Sequence, residues 1–372
     1  MPRILYVHHT SRIGGAENSL LELVRGLGEG FEAVVACPGD GPLVARLRVL
    51  GARVEPVPIF RFKRTSSPLR LARYGLAWRR GGAAICRIIA DAHIDLVHSN
   101  STTAHLYASV AARRAGIPCV WHVRDVTIPG VGSSIAVPRL FKTSACVAVS
   151  KFIAGRLKSA AGIDAEVIYN GVDLERFHPA EHVPGTPTVT MVAQMVPWKG
   201  QRDFLQAAAI VRKSIPSAVF QVVGTDLFGD HPDYRSFLDT LATKLEIDTA
   251  VTFAGQRDDV PDLLRASTLL VQPSRDEPFG RAVIEAMASG LPVVAYNEGG
   301  PAEIIVHGET GLLVAPGDVQ ALGDAIMKLL AAPRAAAKLG RAGRARAAAM
   351  FDSRQTARAV TALYSRLLKG NA

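Results

Sequence analysis

The sequence predicts an α/β protein of two domains, each built on a parallel sheet. Three observations carry that prediction. Short β-branched runs alternate with longer helical stretches almost from end to end, which is the pattern of strands buried on both faces with helices between them. The pattern runs twice, with a Pro-rich break at residues 177–187, "FHPAEHVPGTP". And 372 residues, 48% of them apolar, exceed what one core takes up and are enough for two.

The first domain is expected over residues 1–178, with strands at "ILYVHH", "EAVVAC", "DLVHSN", "CVWHV", "CVAVS" and "EVIYN". The second is expected over 179–350, with strands at "TVTMVAQ", "AVFQVVG", "AVTFAG", "LLVQPS", "PVVAY" and "GLLV". Residues 351–372 read as a C-terminal helix that packs back on the first domain. Ligands of open α/β sheets bind outside the carboxyl ends of the strands, so two such domains facing each other would make a cleft. The chain opens "MPRILYVHH", without the long apolar stretch and small-residue cleavage site of a signal peptide, and no apolar run approaches membrane-spanning length. Cys37, Cys86, Cys119 and Cys146 form no CxxC pair. A reduced cytosol is the expected setting, with no structural zinc.

Four segments carry chemistry. In "SRIGGAENSLLELVRGL" the pair Gly14 and Gly15 lies where the first strand turns into a helix, so the backbone can approach an anion at free N–H groups, although a plain tight turn explains the pair equally well. It does not fit GxGxxG, which argues against a dinucleotide site. "WHVRD" puts His122 at the end of an apolar run, and "AQMVPWKGQRDFLQAA" puts Lys199 in a turn before a helix, where a lysine meets phosphate as a point charge. The most informative segment is "RDEPFGRAVIEAMASGLPVVAYNEGG". Here the loop breaks at Pro278 and Gly280, Glu277 stands before the helix, and Glu285 lies one to two turns inside it. An anion on the N–H groups from Gly280 to Ala282 would have a carboxylate at each side, each able to accept paired sugar hydroxyls. Two solvated acids near a helix start explain Glu285 but not a Glu277 set among Pro, Phe and Gly. A glycosidase also uses paired carboxylates, but eight residues of helix span roughly 12 Å, beyond the ~5 to 9.5 Å such pairs need.

With "GGAENSLLELVRGL", "VAVSKFIAGRLK", "VIYNGVDLERFHP", "PWKGQRDFLQAA" and the long run from "FAGQRDDV" to "LLVAPGD", nearly the whole chain resembles a retaining glycosyltransferase of carbohydrate family four, glycosyl transferases group 1. The resemblance implies the GT-B fold, two Rossmann-like domains facing across a cleft, and a nucleoside diphosphate sugar as donor with no cofactor. It implies that Glu277 contacts the transferred sugar, that the N–H groups after Phe279, at Gly280 and Arg281, cradle the diphosphate, and that Glu285 holds the ribose. His122 would touch the sugar near the reacting centre, Gly14 and Gly15 would line the diphosphate, and Lys199 would stabilise the leaving phosphate. The family usually has an arginine five residues before that lysine, where this chain has Gln194, so one cation is missing from the donor site unless Arg124 or Arg281 supplies it. The leaving phosphate would itself accept the acceptor's proton, with no covalent enzyme carboxylate. No Asp-x-Asp occurs in the chain, which fits a donor site that uses a helix dipole and Lys199 in place of a metal.

Charge is divided unevenly. Residues 1–180 hold 23 Lys/Arg against 13 Asp/Glu, and residues 181–372 hold 20 of each, so the first domain is expected to meet something anionic. Residues 56–90 contain eight Arg/Lys and no acid. Ser67 as cap and Pro68 first start a helix there, with Leu71, Tyr74 and Trp78 on one face beside Arg70, Arg73 and Arg80. That face is either an inward stripe with solvated arginines or an interfacial helix on anionic lipid, near where a glycan or lipid-linked acceptor enters. The expected function is transfer of a hexose-type unit in polysaccharide or glycolipid assembly. A nucleotide-sugar epimerase of the same fold is the rival among enzymes. A nucleic-acid-binding module is disfavoured, because aromatics are few and the charge is local.

Overall fold

A computed structural model describes residues 1–61, 66–125, 143–180 and 185–370, and the chain divides into two compact units. Unit one is Met1–Gly171 with Ser353–Ala372, and unit two is Val172–Asp352. The crossings therefore lie at 171/172 and 352/353, a few residues from the 178/179 and 350/351 read from the sequence. Part of the expected linker, 181–184, lies outside the described residues.

Unit one runs β1 (Arg3–Val7), α1 (Gly15–Arg25), β2 (Glu32–Cys37), α2 (Pro42–Val49), β3 (Arg53–Pro56), α3 (Pro68–Asp91), β4 (Leu96–Ser99), α4 (Thr102–Ala115), β5 (Cys119–Val123), β6 (Ala145–Ala148), α5 (Lys151–Ala161) and β7 (Glu166–Val167). The strands form one parallel sheet in the order β3-β2-β1-β4-β5-β6-β7. β1, β4 and β5 are almost wholly buried, which is why they read as unbroken apolar runs. β3 leaves no strand signal in the sequence, because "RVEP" is a partly exposed edge strand that carries two charges and a proline and so lacks an apolar run.

Unit two runs β8 (Thr188–Val192), α6 (Gln201–Ser214), β9 (Val219–Val223), α7 (Tyr234–Lys244), β10 (Val251–Gly255), α8 (Val260–Arg265), β11 (Leu269–Gln272), α9 (Arg281–Ala288), β12 (Val293–Tyr296), α10 (Pro301–Ile304), β13 (Leu312–Val314), α11 (Val319–Ala331) and α12 (Pro333–Met350). Its parallel sheet has the order β10-β9-β8-β11-β12-β13. In both sheets the order reverses beside the first strand of the unit, between β1 and β4 and between β8 and β11, and such a switch point opens a crevice at the strands' carboxyl ends.

The last helix, α13 (Ser353–Lys369), belongs to unit one. Its buried face, Ala357, Val360, Leu363 and Tyr364, joins the core of β1, α1, β2 and α2. The four cysteines are free.

Candidate active site

In unit two the switch point assembles most of the residues singled out in the sequence. β8 and β11 are neighbours, with Leu269 opposite Val189, so the loops leaving their carboxyl ends meet. The Arg275 N–H donates to the Trp198 carbonyl at 2.8 Å, and the Ser274 hydroxyl to the Lys199 carbonyl at 3.2 Å. Gly200 permits this approach, because it has φ +84° and a Cβ there would sit 2.0 Å from the Pro273 carbonyl oxygen. The consequence is an ion pair across 78 residues of sequence, Lys199 Nζ to Glu277 Oε2 at 2.7 Å. Glu277 is 7% exposed, so this carboxylate is largely withdrawn from water and is matched by one cation.

The Glu277 loop is held from behind by residues after β12. The Gly300 N–H donates to the Glu277 carbonyl at 2.8 Å. Gly299 has φ +62°, and a Cβ there would stand 2.3 Å from the same carbonyl oxygen. The glycines of "NEGGP" thus serve close backbone packing. The Phe279 ring is buried edge-on against Phe351 at 5.9 Å, so its side chain anchors the loop in the core. Gly280, at φ +106°, then turns the chain into α9. Inside α9, Arg281 Nη2 donates to Glu285 Oε1 at 3.0 Å. The second carboxylate therefore has its own cation, supplied by the i, i+4 spacing. Gln194 lies just beyond β8, where its carbonyl accepts from Gln201 Nε2 at 2.7 Å.

Unit one builds a second polar cluster at its own switch point. His8, Asn100 and Arg124 each stand one residue past the end of β1, β4 and β5. His8 Nε2 meets Glu17 Oε1 at 2.6 Å, and Asn100 Nδ2 lies 3.4 Å from His8 Nδ1. Burial opposes the charge of Glu17, yet the His8 hydrogen bond and the charges of His8 and His9 hold its carboxyl below the usual range. The Gly14 N–H donates to Glu17 Oε2 at 2.8 Å, so of the two glycines at the start of α1, Gly14 already gives its amide to the protein. Arg124 donates to Asn100 Oδ1 at 2.9 Å and to Asn170 Oδ1, which also accepts from Ser19. His122, 1% exposed on β5, stands beside it, with Arg124 Nη2 3.3 Å from its Nδ1. His8, Glu17, Asn100 and Asn170 were not singled out in the sequence. Three of them did leave a signal there, a polar residue closing an apolar run in "YVHH", "LVHSN" and "VIYN".

The stripe read on α3 is divided by the structure. Gly81 sits against Tyr107, where a Cβ would be 2.6 Å from the ring, so α3 approaches α4 with Gly81, Ile85 and Ile89 inward. That rotation turns Tyr74 and Trp78 partly inward, and the Trp78 indole N–H donates to the Leu106 carbonyl at 3.4 Å. Leu71 is left outside, 54% exposed, with Leu69 and Leu76. The outer face is thus leucines among Arg70, Arg73, Arg79 and Arg80, without the aromatics. Residues 62–65 of the basic stretch lie outside the described residues.

Among the described residues no group of three or more His, Cys, Asp or Glu is arranged to hold a metal, and no helix is long and apolar enough to cross a membrane.

The profile of the glycosyl transferases group 1 family matches residues 174–346, and that of glycosyltransferase family 4 matches residues 13–176. The chain is 33% identical over 208 residues to a glycogen synthase of Mycobacterium tuberculosis, a match that takes in 55% of this chain and 49% of the synthase. It therefore spans about half the length of the glycogen synthases it matches. It is 32% identical over 228 residues to the lipopolysaccharide core biosynthesis mannosyltransferase LpsB of Rhizobium meliloti, over 58% of this chain and 64% of LpsB. Among solved structures, HepE of Anabaena in complex with UDP and glucose superposes with a TM-score of 0.84 at 27% identity, over 97% of this chain and 99% of HepE.

Proposed function

From a chain that belongs to the glycosyl transferases group 1 family, we infer a retaining, metal-independent glycosyltransferase. It moves a hexose-type sugar from a nucleoside diphosphate to a glycan or lipid-linked acceptor in polysaccharide or glycolipid assembly. The observation that carries this reading is the Lys199–Glu277 ion pair at the β8/β11 switch point, next to the start of α9.

The chemistry follows from what each group offers. N–H groups at the start of α9 and the ammonium of Lys199 favour a diphosphate, whose charge grows as the sugar bond breaks. Glu277 accepts hydroxyls of the transferred sugar, and its pairing with Lys199 holds its oxygens in place before the sugar arrives. Glu285, held by Arg281, accepts the ribose hydroxyls. Lys199 carries the leaving-group charge that an arginine at position 194 would otherwise share. The freed phosphate oxygen takes the acceptor's proton as the acceptor enters on the same face, so the protein supplies position and charge rather than a nucleophile. In unit one, His122 gives a hydrogen bond to the sugar, and Gly14 and Gly15 line the diphosphate. The outer arginines of α3 attach the enzyme peripherally to an anionic cytoplasmic leaflet.

HepE, solved with UDP and glucose, supports UDP as the nucleotide, and a GDP-mannose-dependent phosphatidylinositol monomannoside mannosyltransferase of Mycobacterium tuberculosis, 32% identical over 217 residues, supports GDP. The test is a thermal-shift series with UDP, GDP, UDP-glucose and GDP-mannose, since a ligand of the folded form raises its melting temperature. It is followed by Glu277→Gln and Glu285→Ala in the enzyme with the donor found. Glu277→Gln should depress transfer far more than nucleotide affinity, and Glu285→Ala should weaken the nucleotide by about 1–3 kcal/mol through lost charged hydrogen bonds. Equal loss of nucleotide affinity in both would refute the division of roles.

A further inference from the structure

We propose that Glu17 is a positioning residue for transfer, which holds the glycine turn at the start of α1 so that Gly15, and not Gly14, offers its N–H to the donor's diphosphate. The inference rests on the reading of that turn as the lining of the diphosphate.

Both oxygens of Glu17 are engaged inside the protein. Oε1 meets Nε2 of His8, one residue past the end of β1, at 2.6 Å, and Oε2 accepts the Gly14 N–H at 2.8 Å. The His8 and Glu17 side chains are 0% and 4% exposed, so water does not compete for the bond between them. Burial raises the pKa of Glu17, but the His8 hydrogen bond and the charges of His8 and His9 outweigh it, and the carboxyl stays ionised. An ionised carboxylate only accepts, so His8 donates from Nε2. One carboxylate thus ties the end of β1 to the turn that opens α1.

Asn100 holds the same turn from beyond β4. Arg124 Nε donates to Asn100 Oδ1 at 2.9 Å, which fixes the amide so that Nδ2 faces α1 and donates to the Ala16 carbonyl at 3.3 Å. The N–H of Gly14 and the carbonyl of Ala16 are therefore both tied, and Gly15 lies between them.

Gly15 is exposed, and its N–H has no acceptor among the described residues. The helices α3, α4 and α5 begin at Ser67, Ser101 and Ser150, whose side chains accept an N–H of the first turn. Gly14 has no side chain with which to do that for α1, and Glu17 turns back to the N–H of Gly14 itself. An incoming anion cannot share that N–H with a buried carboxylate. The next N–H, at Gly15, is open and is fixed on both sides before a diphosphate arrives.

The test begins with glycine labelled with nitrogen-15 in the full chain, with the Gly14 and Gly15 amides assigned by their loss in Gly14→Ala and Gly15→Ala. In the free protein the Gly14 amide should lie downfield and exchange slowly, and the Gly15 amide should exchange fast. Whichever of UDP and GDP binds should move Gly15 and slow its exchange, with Gly14 changed far less. A Gly14 amide that exchanges freely, or that the nucleotide moves as much as Gly15, would overturn the proposal. The kinetic arm measures hydrolysis of whichever of UDP-glucose and GDP-mannose is turned over. Glu17→Gln keeps the size of the side chain and turns one acceptor into a donor, so kcat should fall about tenfold with KM nearly unchanged. Gly15→Pro removes the N–H at a position where proline fits the first turn of a helix, and should cost about as much. Glu17→Gln should then have no further effect in the Gly15→Pro background. An equal loss in both backgrounds would make Glu17 merely structural. If Glu17→Gln does not fold, His8→Gln disturbs the other end of the same bridge and takes its place in the cycle, with the same two outcomes. A bound nucleotide that moves neither amide, with Gly15→Pro at full rate, would refute the diphosphate reading of the turn itself and leave Glu17 as the cap of α1.

Discussion

Lowering the pH from 7.5 to 5.5 should strip unit one of much of its stability, and the size of the loss follows from three buried histidines. His98, His105 and His122 are all 3% exposed or less. His105 Nδ1 shares a hydrogen bond with the Ser99 hydroxyl at 2.6 Å, its Nε2 has no partner among the described residues, and its ring stacks on Trp121 at 5.0 Å. Burial, and then the charge of Arg124, bring its pKa from 6.5 to about 3, and His98 and His122 are also held well below 6.5. A histidine whose folded pKa is depressed binds its proton in the unfolded chain first. Its contribution is therefore fully present above pH 6.5 and is lost as pH falls from there toward the folded value. At pH 5.5 each such histidine is one unit below its unfolded pKa and costs about 1.4 kcal/mol, or about 4 kcal/mol for the three, and His9, which burial and then the charge of His8 also bring to about 3, adds a similar amount, together a large part of an ordinary domain's stability. The assay is urea unfolding at pH 7.5, 6.5 and 5.5, followed by signals of Trp121 in unit one and Trp198 in unit two, each isolated by replacing the other tryptophans with phenylalanine. The unit-one midpoint should fall steeply below pH 6.5. His105→Gln should reduce the slope by about one proton, whatever it does to stability at pH 7.5. A flat unit-one midpoint between pH 7.5 and 5.5, or an unchanged slope in His105→Gln, would refute the reasoning.

Lys199→Ala should lower turnover sharply while activity survives excess chelator, and restoration of chelated enzyme by Mg²⁺ or Mn²⁺ would show the donor site to be of another kind. Gly299→Ala should lose transfer and cost unit two about 2 kcal/mol or more by denaturant unfolding, because alanine disfavours φ +62° and its Cβ would push on the Glu277 carbonyl. Changing Arg70, Arg73 and Arg80 together to glutamate should abolish salt-sensitive co-sedimentation with anionic vesicles, at about 1 kcal/mol for each cation near the leaflet. Binding that ignores lipid charge, or persists in the triple variant, would remove the membrane attachment and leave the transferase reading standing.

The sequence by itself determined what is local. The central parallel strands, buried on both faces, must be continuous apolar runs, and the edges β7, β10 and β13 lie in apolar runs too, so twelve strands could be read directly, whereas β3, with two charges and a proline in four residues, could not. The loop and helix that carry Glu277 and Glu285 are adjacent in the chain, so their eight-residue spacing already placed both carboxylates at one helix start. The i, i+4 pairing of Arg281 with Glu285 is fixed by helix geometry in the same way. What pairs with Glu277 is not local. Lys199 reaches it only because β8 and β11 are neighbours, and strand order is decided by how the helices pack on the two faces of the sheet, which no single segment encodes. The direction of α3's aromatics depended likewise on Gly81 meeting Tyr107. Composition and period report the faces each element must bury, while charge pairs depend on contacts that exist only after distant elements have been brought together.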